Sequence, residues 1–214
     1  DPVALPDPPP GYGTSLPKPG PRQNPVVIAL PNGPNISIRN NLEVAWLNWR
    51  FHVSSDRRAG VILSLVDFVD AAKVRPVAYQ MHVSEVFVPY MDPDPNWAAR
   101  VFLDAGEFGL GYLMSSLEPG IDCPDTAVFA DFTFPGDDGD PYDLPRALCI
   151  FERPTGDPAW RHYSSSQEKV TGVAQVELVV RSATTVGNYD YVIDYVFTPQ
   201  GNITLRVGAT GYDA

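Results

Sequence analysis

Histidine, cysteine and positive charge are all scarce in this sequence of 214 residues. There are three histidines, two cysteines, and 15 Lys and Arg against 26 Asp and Glu, which gives a formal net charge of −11. A surface that binds nucleic acid needs clustered Lys and Arg, so this balance argues against such a partner. The acidity is compatible with cationic small molecules, although acidic surfaces most often serve solubility.

Long apolar runs and helical periodicity are also missing. No stretch approaches the 18 consecutive apolar residues of a membrane-spanning helix, so no such span is expected. No segment repeats apolar residues at the 3.6-residue period of an amphipathic helix. Hydrophobic residues still make up 44% of the chain, which suits one domain with a sizeable core, or a domain with a tail.

Proline crowds the first part of the chain, in "DPVALPDPPPGYGTSLPKPGPRQNP". Such a segment cannot hold a regular helix or sheet ladder, so we predict a Pro-rich linker or arm over residues 1–35. An SH3-type ligand is the alternative that its proline spacing suggests. The chain begins at Asp1 without an initiator Met or a signal peptide, so we expect a processed or excised piece.

From residue 36 onward the sequence is typical of β-strands. Runs rich in Val, Ile, Phe, Tyr and Thr are separated by turn residues, as in "AGVILSLVDFVD", "VAQVELVVRSATT" and "YDYVIDYVFTP". We predict an all-β, antiparallel β-sandwich over residues 36–214, with "PQGN" as a hairpin connection. The last run reaches Ala214 within a strand-like pattern, so we expect the natural fold to continue beyond it.

The two cysteines, Cys123 and Cys149, leave two interpretations open. They are either free buried thiols or one disulfide, which would contribute roughly 3 kcal/mol by restricting the unfolded chain. Glycosylation sequons begin at Asn35 and Asn202. Together these features favour a secreted, extracellular origin.

Few residues suit metal ligation. His52, His82 and His162 show no His-x-His or His-x-x-x-His spacing, so packing or hydrogen bonding is favoured over a metal site. The acidic loop "PGDDGDPYD" lacks the spacing of a calcium-binding EF-hand, and a solvated loop is favoured. "GEFGLG" precedes no predicted helix, so it does not indicate a dinucleotide site.

Two carboxylates lie in "VFLDAGEFGLG", at a predicted strand end followed by glycines. Asp104 is the first and Glu107 the second. A carboxylate in an apolar setting can act as a general base, so this stretch is a candidate catalytic segment.

The stretch "TTVGNYDY" resembles the cofactor motif of the copper amine oxidases, Thr-x-x-Asn-Tyr-Asp/Glu. In that family the motif tyrosine is oxidised to topaquinone beside the enzyme's copper ion. The resemblance implies that Tyr189 is that tyrosine and that its neighbours Asn188 and Asp190 belong to the cofactor site.

A second stretch, "VPYMDPDPNWAARVFLDAGEFGLG", resembles the family segment that carries the catalytic base. By this resemblance Asp104 is the base and Tyr90 is the tyrosine that hydrogen-bonds the quinone oxygen. The resemblance also implies a disulfide between Cys123 and Cys149, and it covers roughly residues 40–214.

The family converts a primary amine and dioxygen to an aldehyde, ammonium and hydrogen peroxide, and its members are homodimers. Its copper is bound by three histidines that follow the cofactor tyrosine, whereas no histidine follows Tyr189 here. We therefore expect the copper ligands outside this chain, in the remainder of the oxidase polypeptide. This chain alone is expected to be incomplete and inactive.

Two other functions remain open: a secreted, non-enzymatic β-sandwich module for binding or structure, and an inactive relative of the oxidases. Chemical modification of Tyr189 distinguishes them from an active oxidase.

Overall fold

The computed structural model describes residue 24 and residues 26–39, 42–71 and 73–211. The described residues form β-strands joined by turns and loops. The strands are β1 (Ile36–Arg39), β2 (Glu43–Trp46), β3 (Trp49–Asp56), β4 (Gly60–Asp70), β5 (Lys73–Met81), β6 (Phe87–Pro89), β7 (Val101–Leu103), β8 (Val128–Pro135), β9 (Pro141–Ser164), β10 (Lys169–Val186), β11 (Tyr189–Phe197) and β12 (Ile203–Gly211). A single π-helical turn, Asp104–Phe108, follows β7.

Two five-stranded sheets dominate the molecule. The first has the order β1-β2-β3-β4-β5 and the second β12-β11-β10-β9-β8, while β6 and β7 form a small separate ladder. All of these strand pairs are antiparallel. The prediction of an all-β, antiparallel β-sandwich is confirmed.

Aromatic side chains from both sheets form the main core. Trp46 and Trp49 of the first sheet and Phe197 of the second have no exposed surface. The Phe197 ring stacks on Phe51 with centroids 4.7 Å apart and meets Trp49 edge-on at 5.2 Å. Each buried side chain of this size contributes about 1.5–3 kcal/mol to folding, so these contacts hold the two sheets together.

A smaller apolar cluster covers the opposite face of the second sheet. Successive strand residues point to opposite faces, so Leu178 enters the main core and Val179 this second cluster. Cys123 and Cys149 lie in the second cluster and form a disulfide. The disulfide interpretation is therefore confirmed, and the free-thiol alternative is wrong. This bond fastens the loop around Leu117 to the sheet.

Strand boundaries differ from the sequence pattern in two places. The run "NLEVAWLNWRFHVS" splits into β2 and β3, because Leu47 and Asn48 form a tight turn between the paired residues Trp46 and Trp49. Strand β9 continues through "PAWRHYSSS" up to Ser164 and, with β10, forms a long hairpin. The half of this hairpin near Ser164 and Lys169 is exposed. It therefore lacks the alternation of buried and exposed residues by which a strand is recognised in a sequence.

The predicted "PQGN" hairpin is confirmed, since Thr198 N–H donates to Asn202 O at 3.0 Å between β11 and β12. Most of the predicted Pro-rich arm, residues 1–23, lies outside the described residues, and the boundary at residue 35 stays a prediction. None of the helices in the described segments is both long and apolar enough to cross a lipid bilayer.

Candidate active site

Tyr189 is the first residue after a two-residue hairpin turn. Val186 pairs with Tyr189 across the turn, so Gly187 and Asn188 alone connect β10 to β11. Gly187 has a φ of +63°, a left-handed conformation that glycine adopts without strain. The polar stretch before the buried strand is therefore a tight turn, and it holds Tyr189 at the end of the sheet.

Three hydrogen bonds hold the base of this hairpin. Thr185 Oγ1 donates to Asp190 Oδ1 at 2.6 Å across the two strands. Thr185 N–H donates to Leu113 O at 2.9 Å, and the buried Thr184 Oγ1 donates to Leu110 O at 2.9 Å. The last two bonds connect β10 to the loop that follows Asp104, so the segments carrying Asp104 and Tyr189 are fixed to each other.

Asp104 begins the π-helical turn and is buried, with 4% of its surface exposed. Its N–H donates to Val86 O at 3.0 Å, and Gly109 N–H donates to its backbone oxygen at 3.2 Å. Isolated buried carboxylates are costly, so a polar partner for the side chain is expected.

That partner is Tyr191, whose hydroxyl donates to Asp104 Oδ2 at 2.9 Å. Burial raises the pKa of Tyr191 to about 12, with the hydrogen bond and the negative charge of Asp104 adding to the effect. Tyr191 lies two residues after Tyr189 on β11, so both side chains are on the same face of the strand. The sequence interpretation missed Tyr191, although this two-residue spacing was a usable signal.

Tyr90 lies beside Tyr189 at the end of the small β6–β7 ladder. Burial raises the pKa of Tyr90, and the neighbouring Tyr189 raises it further. The Tyr90 ring is also close to Phe102 and Trp97, at centroid distances of 5.5 Å and 5.3 Å. Tyr90 remains 41% exposed, so it lies at the edge of the site.

A cavity of about 370 Å³ joins these residues. Four of the sequence-predicted site residues line it together: Tyr90, Asp104, Asn188 and Tyr189. The side chains of Val88, Phe102, Phe108 and Leu113 supply an apolar wall. The fifth predicted residue, Asp190, does not line the cavity and is instead bonded to Thr185. The arrangement places a buried carboxylate and a tyrosine ring in one largely apolar space.

Two glutamates lie at the turn that carries Asp104, Glu107 within it and Glu85 beside it. Glu107 is exposed, and its Oε2 accepts a hydrogen bond from Leu103 N–H at 3.1 Å, so it is not part of the cavity lining. Glu85 accepts hydrogen bonds from Ala105 N–H and Gly106 N–H, at 2.7 Å and 3.0 Å. No local sequence pattern indicates this role for Glu85, since it precedes the turn by about 20 residues.

The histidines lie apart from the cavity. His52 is on β3 opposite Glu43, and His162 is exposed on β9. His82 follows β5, and its buried Nδ1 has no hydrogen-bond partner. Across the part of the chain that the structure describes, no three His, Cys, Asp or Glu side chains are grouped so that they could hold a metal ion. These residues do not fit a copper site.

Comparison with known proteins gives one consistent family. The family model for the copper amine oxidase enzyme domain matches residues 37–214. Two Arabidopsis thaliana proteins, the copper-containing amine oxidases alpha 2 and alpha 3, both named as peroxisomal, are 47% and 45% identical over 197 residues. Each alignment covers 90% of this chain and 29% of the relative.

The fold agrees with solved structures. The crystal structure of Aspergillus nidulans amine oxidase superposes with a TM-score of 0.81 at 30% identity, covering 91% of this chain and 25% of that one. The chain thus spans less than a third of the length of the curated relatives that it matches. From the family model and these relatives, the chain belongs to the copper amine oxidase family.

Proposed function

We propose that this chain supplies the base and the quinone-forming tyrosine of an enzyme that oxidatively deaminates primary amines. The products would be an aldehyde, ammonium and hydrogen peroxide. Amine oxidation with copper and a quinone is general to the family to which the chain belongs. The assignment of these two roles depends on one observation: Asp104, which is buried, lines the same cavity as Tyr189.

The surroundings of Tyr189 fit a modified ring. The cavity provides about 370 Å³ of space, and a Cβ added at the adjacent Gly187 would meet no atom within 4 Å. A quinone made from Tyr189 would supply the electrophile and electron acceptor for the amine. Tyr90, which lines the same cavity as Tyr189, is assigned to orient that ring.

Asp104 is assigned to take the proton from the α-carbon of the amine. Its Oδ2 accepts the hydrogen bond from Tyr191, so Oδ1 is the oxygen that we assign to proton transfer. The apolar wall near Phe102 and Leu113 would limit access of water while the amine is bound. Asn188 and Asp190 flank Tyr189: Asn188 belongs to the turn before it, and Asp190 is bonded to Thr185 across the hairpin.

The remainder of the oxidase polypeptide is the proposed source of the copper ligands, because the residues described here do not form such a site. We accordingly propose that this chain by itself is inactive. A homodimer is also proposed, supported by the apolar side chains that the β9–β10 hairpin exposes, including Trp160 and Val173 at 56% and 63%. A secreted origin remains a proposal, supported by the disulfide between Cys123 and Cys149.

The test uses the full-length polypeptide that contains this segment, expressed with copper. Mass spectrometry of the peptide that contains Tyr189 should show a gain of two oxygen atoms and a loss of two hydrogens. Asp104→Asn should abolish amine turnover and leave this mass change intact. Glu107→Gln, three residues away and outside the cavity, is the matched control and should turn over amine normally.

Two other outcomes would each contradict a part of the proposal. An unmodified Tyr189 in copper-loaded protein would contradict the proposal and favour an inactive relative or a binding module. Normal turnover in Asp104→Asn would instead refute only the assignment of the base.

A further inference from the structure

Glu85 binds the turn that carries Asp104 from outside the cavity. Its Oε1 accepts hydrogen bonds from Ala105 N–H at 2.7 Å and from Val86 N–H at 3.0 Å. Its Oε2 accepts Gly106 N–H at 3.0 Å. One carboxylate thus holds Ala105 and Gly106, the two residues directly after Asp104. It also holds Val86, whose backbone oxygen accepts the hydrogen bond from Asp104 N–H.

The turn is shaped to admit this carboxylate. A Cβ at Gly106 would lie 2.8 Å from Glu85 Oε2, so a residue with a side chain would displace it. Arg58 lies 3.5 Å from the same oxygen and offers a partly exposed positive partner. Burial opposes ionisation of Glu85, but its backbone hydrogen bonds and Arg58 lower its pKa below the ordinary value. The carboxylate is therefore charged at neutral pH, when it is the strongest acceptor for these N–H groups.

Besides Glu85, backbone hydrogen bonds with Val86 O and Gly109 N–H hold Asp104 in place. The turn is only five residues long, and Leu103 just before it and Phe108 at its end are exposed. Among the described residues, the Asp104 side chain has one hydrogen-bond partner, the Tyr191 hydroxyl. A backbone shift at Ala105 would move the Asp104 carboxylate directly, because the two residues are adjacent and both buried.

We propose that Glu85 is a positioning residue for amine oxidation: it clamps the Ala105–Gly106 backbone so that the Asp104 carboxylate stays aimed into the cavity. This role rests on the proposed function, in which Asp104 removes the substrate proton. Displacement of a reacting group by about 1 Å can cost on the order of 100-fold in rate, which sets the scale of the effect.

The experiment compares Glu85→Ala and Glu85→Gln with wild type in the full-length, copper-loaded oxidase. Glu85→Ala removes every acceptor and should lower kcat about 10- to 100-fold without a comparable change in KM. Glu85→Gln retains one acceptor oxygen for Ala105 N–H and should recover part of this loss. The deuterium isotope effect, measured with an α-deuterated amine, should increase as proton removal becomes more fully rate-limiting.

Asp131→Ala is the matched control. Asp131 also uses its carboxylate to accept a backbone N–H, that of Arg146 at 2.7 Å, but it is not among the residues lining the cavity. Its loss should leave kcat and the isotope effect unchanged. Mass spectrometry of the Tyr189 peptide is run on every variant, because a folding defect would also reduce conversion of that tyrosine.

The inference is overturned if both Glu85 variants keep the wild-type kcat and isotope effect. It is also overturned if their loss of activity matches a loss of converted Tyr189, since Glu85 would then support folding or maturation instead of the base. A wild type that converts Tyr189 but oxidises no amine would refute the proposed function itself, and this role of Glu85 with it.

Discussion

Removal of the Tyr191 hydroxyl should destabilise the protein more than removal of the hydroxyl of a neighbouring tyrosine that is also buried. The Tyr191 hydroxyl donates to Asp104 Oδ2 at 2.9 Å, and both residues are at least nine-tenths buried. A hydrogen bond to a charged group contributes about 1.5–3 kcal/mol. Tyr191→Phe should therefore lower the free energy of unfolding by about 2 kcal/mol.

Tyr195→Phe is the matched control, because Tyr195 lies on the same strand and enters the same core. Within the described part of the chain, its hydroxyl donates to one neutral backbone group, Val61 O at 3.4 Å. Loss of such contacts should cost about 1 kcal/mol. Denaturant unfolding of both variants measures the difference, and a cost for Tyr191→Phe no larger than that for Tyr195→Phe would contradict a charge-assisted bond.

A double-mutant cycle with Asp104→Asn isolates the pair. We expect a coupling free energy of about 1–2 kcal/mol between Tyr191 and Asp104, and additivity would refute their contact. The pH dependence has a definite sign. The pKa of Tyr191 is raised from 10.0 to about 12, so this stabilisation is complete below pH 10 and is lost as the pH rises through about 12. In Asp104→Asn the tyrosine should ionise at lower pH, as measured by tyrosinate absorbance, although burial still raises its pKa.

Three further predictions concern other contacts. Glu152→Ala leaves the buried Trp46 Nε1 without its hydrogen-bond acceptor at 2.7 Å, so the free energy of unfolding should fall by about 1–3 kcal/mol. An unchanged denaturant midpoint would contradict this. Gly111→Ala would place a Cβ 2.0 Å from Asp56 O, so thermal unfolding should occur at markedly lower temperature, and wild-type behaviour would show that the backbone adjusts freely. The folded-state pKa of Glu85 lies below 4.5, so its stabilisation is present above pH 4.5 and is lost as the pH falls through the folded pKa. Unfolding of Glu85→Gln should therefore depend less on acid pH, and identical acid profiles would refute this linkage.

The tight turn before Tyr189 shows how far local pattern can go. Gly187 and Asn188 suit a two-residue hairpin connection, and the alternating apolar residues of β11 mark a strand with a buried face. These features depend on neighbours in the chain, so the sequence alone was enough to predict a strand and a turn. The roles of Tyr189 and Asp104 came instead from the family resemblance, since composition and periodicity do not distinguish a catalytic carboxylate from any other.

The exposed half of the β9–β10 hairpin shows the opposite case. Its strands have little burial, so the period-2 alternation that reveals a strand is weak there. Pairing between the strands, such as Val173 with Trp160, maintains the ladder instead. Such pairing depends on the partner strand, so it cannot be predicted from the residue pattern of one strand alone.

Local sequence was therefore sufficient to predict the all-β class and the hairpin at Tyr189. It also showed that tyrosine and carboxylate side chains were available for the candidate site. Tertiary structure alone decided that Asp104 is buried against Tyr191, 87 positions away along the chain, and that Glu85 holds the turn beneath it. It also decided that the disulfide covers the second face of a sheet. The physical reason is that strand and turn preferences act between adjacent residues, whereas a cavity requires segments that come together only when two sheets pack.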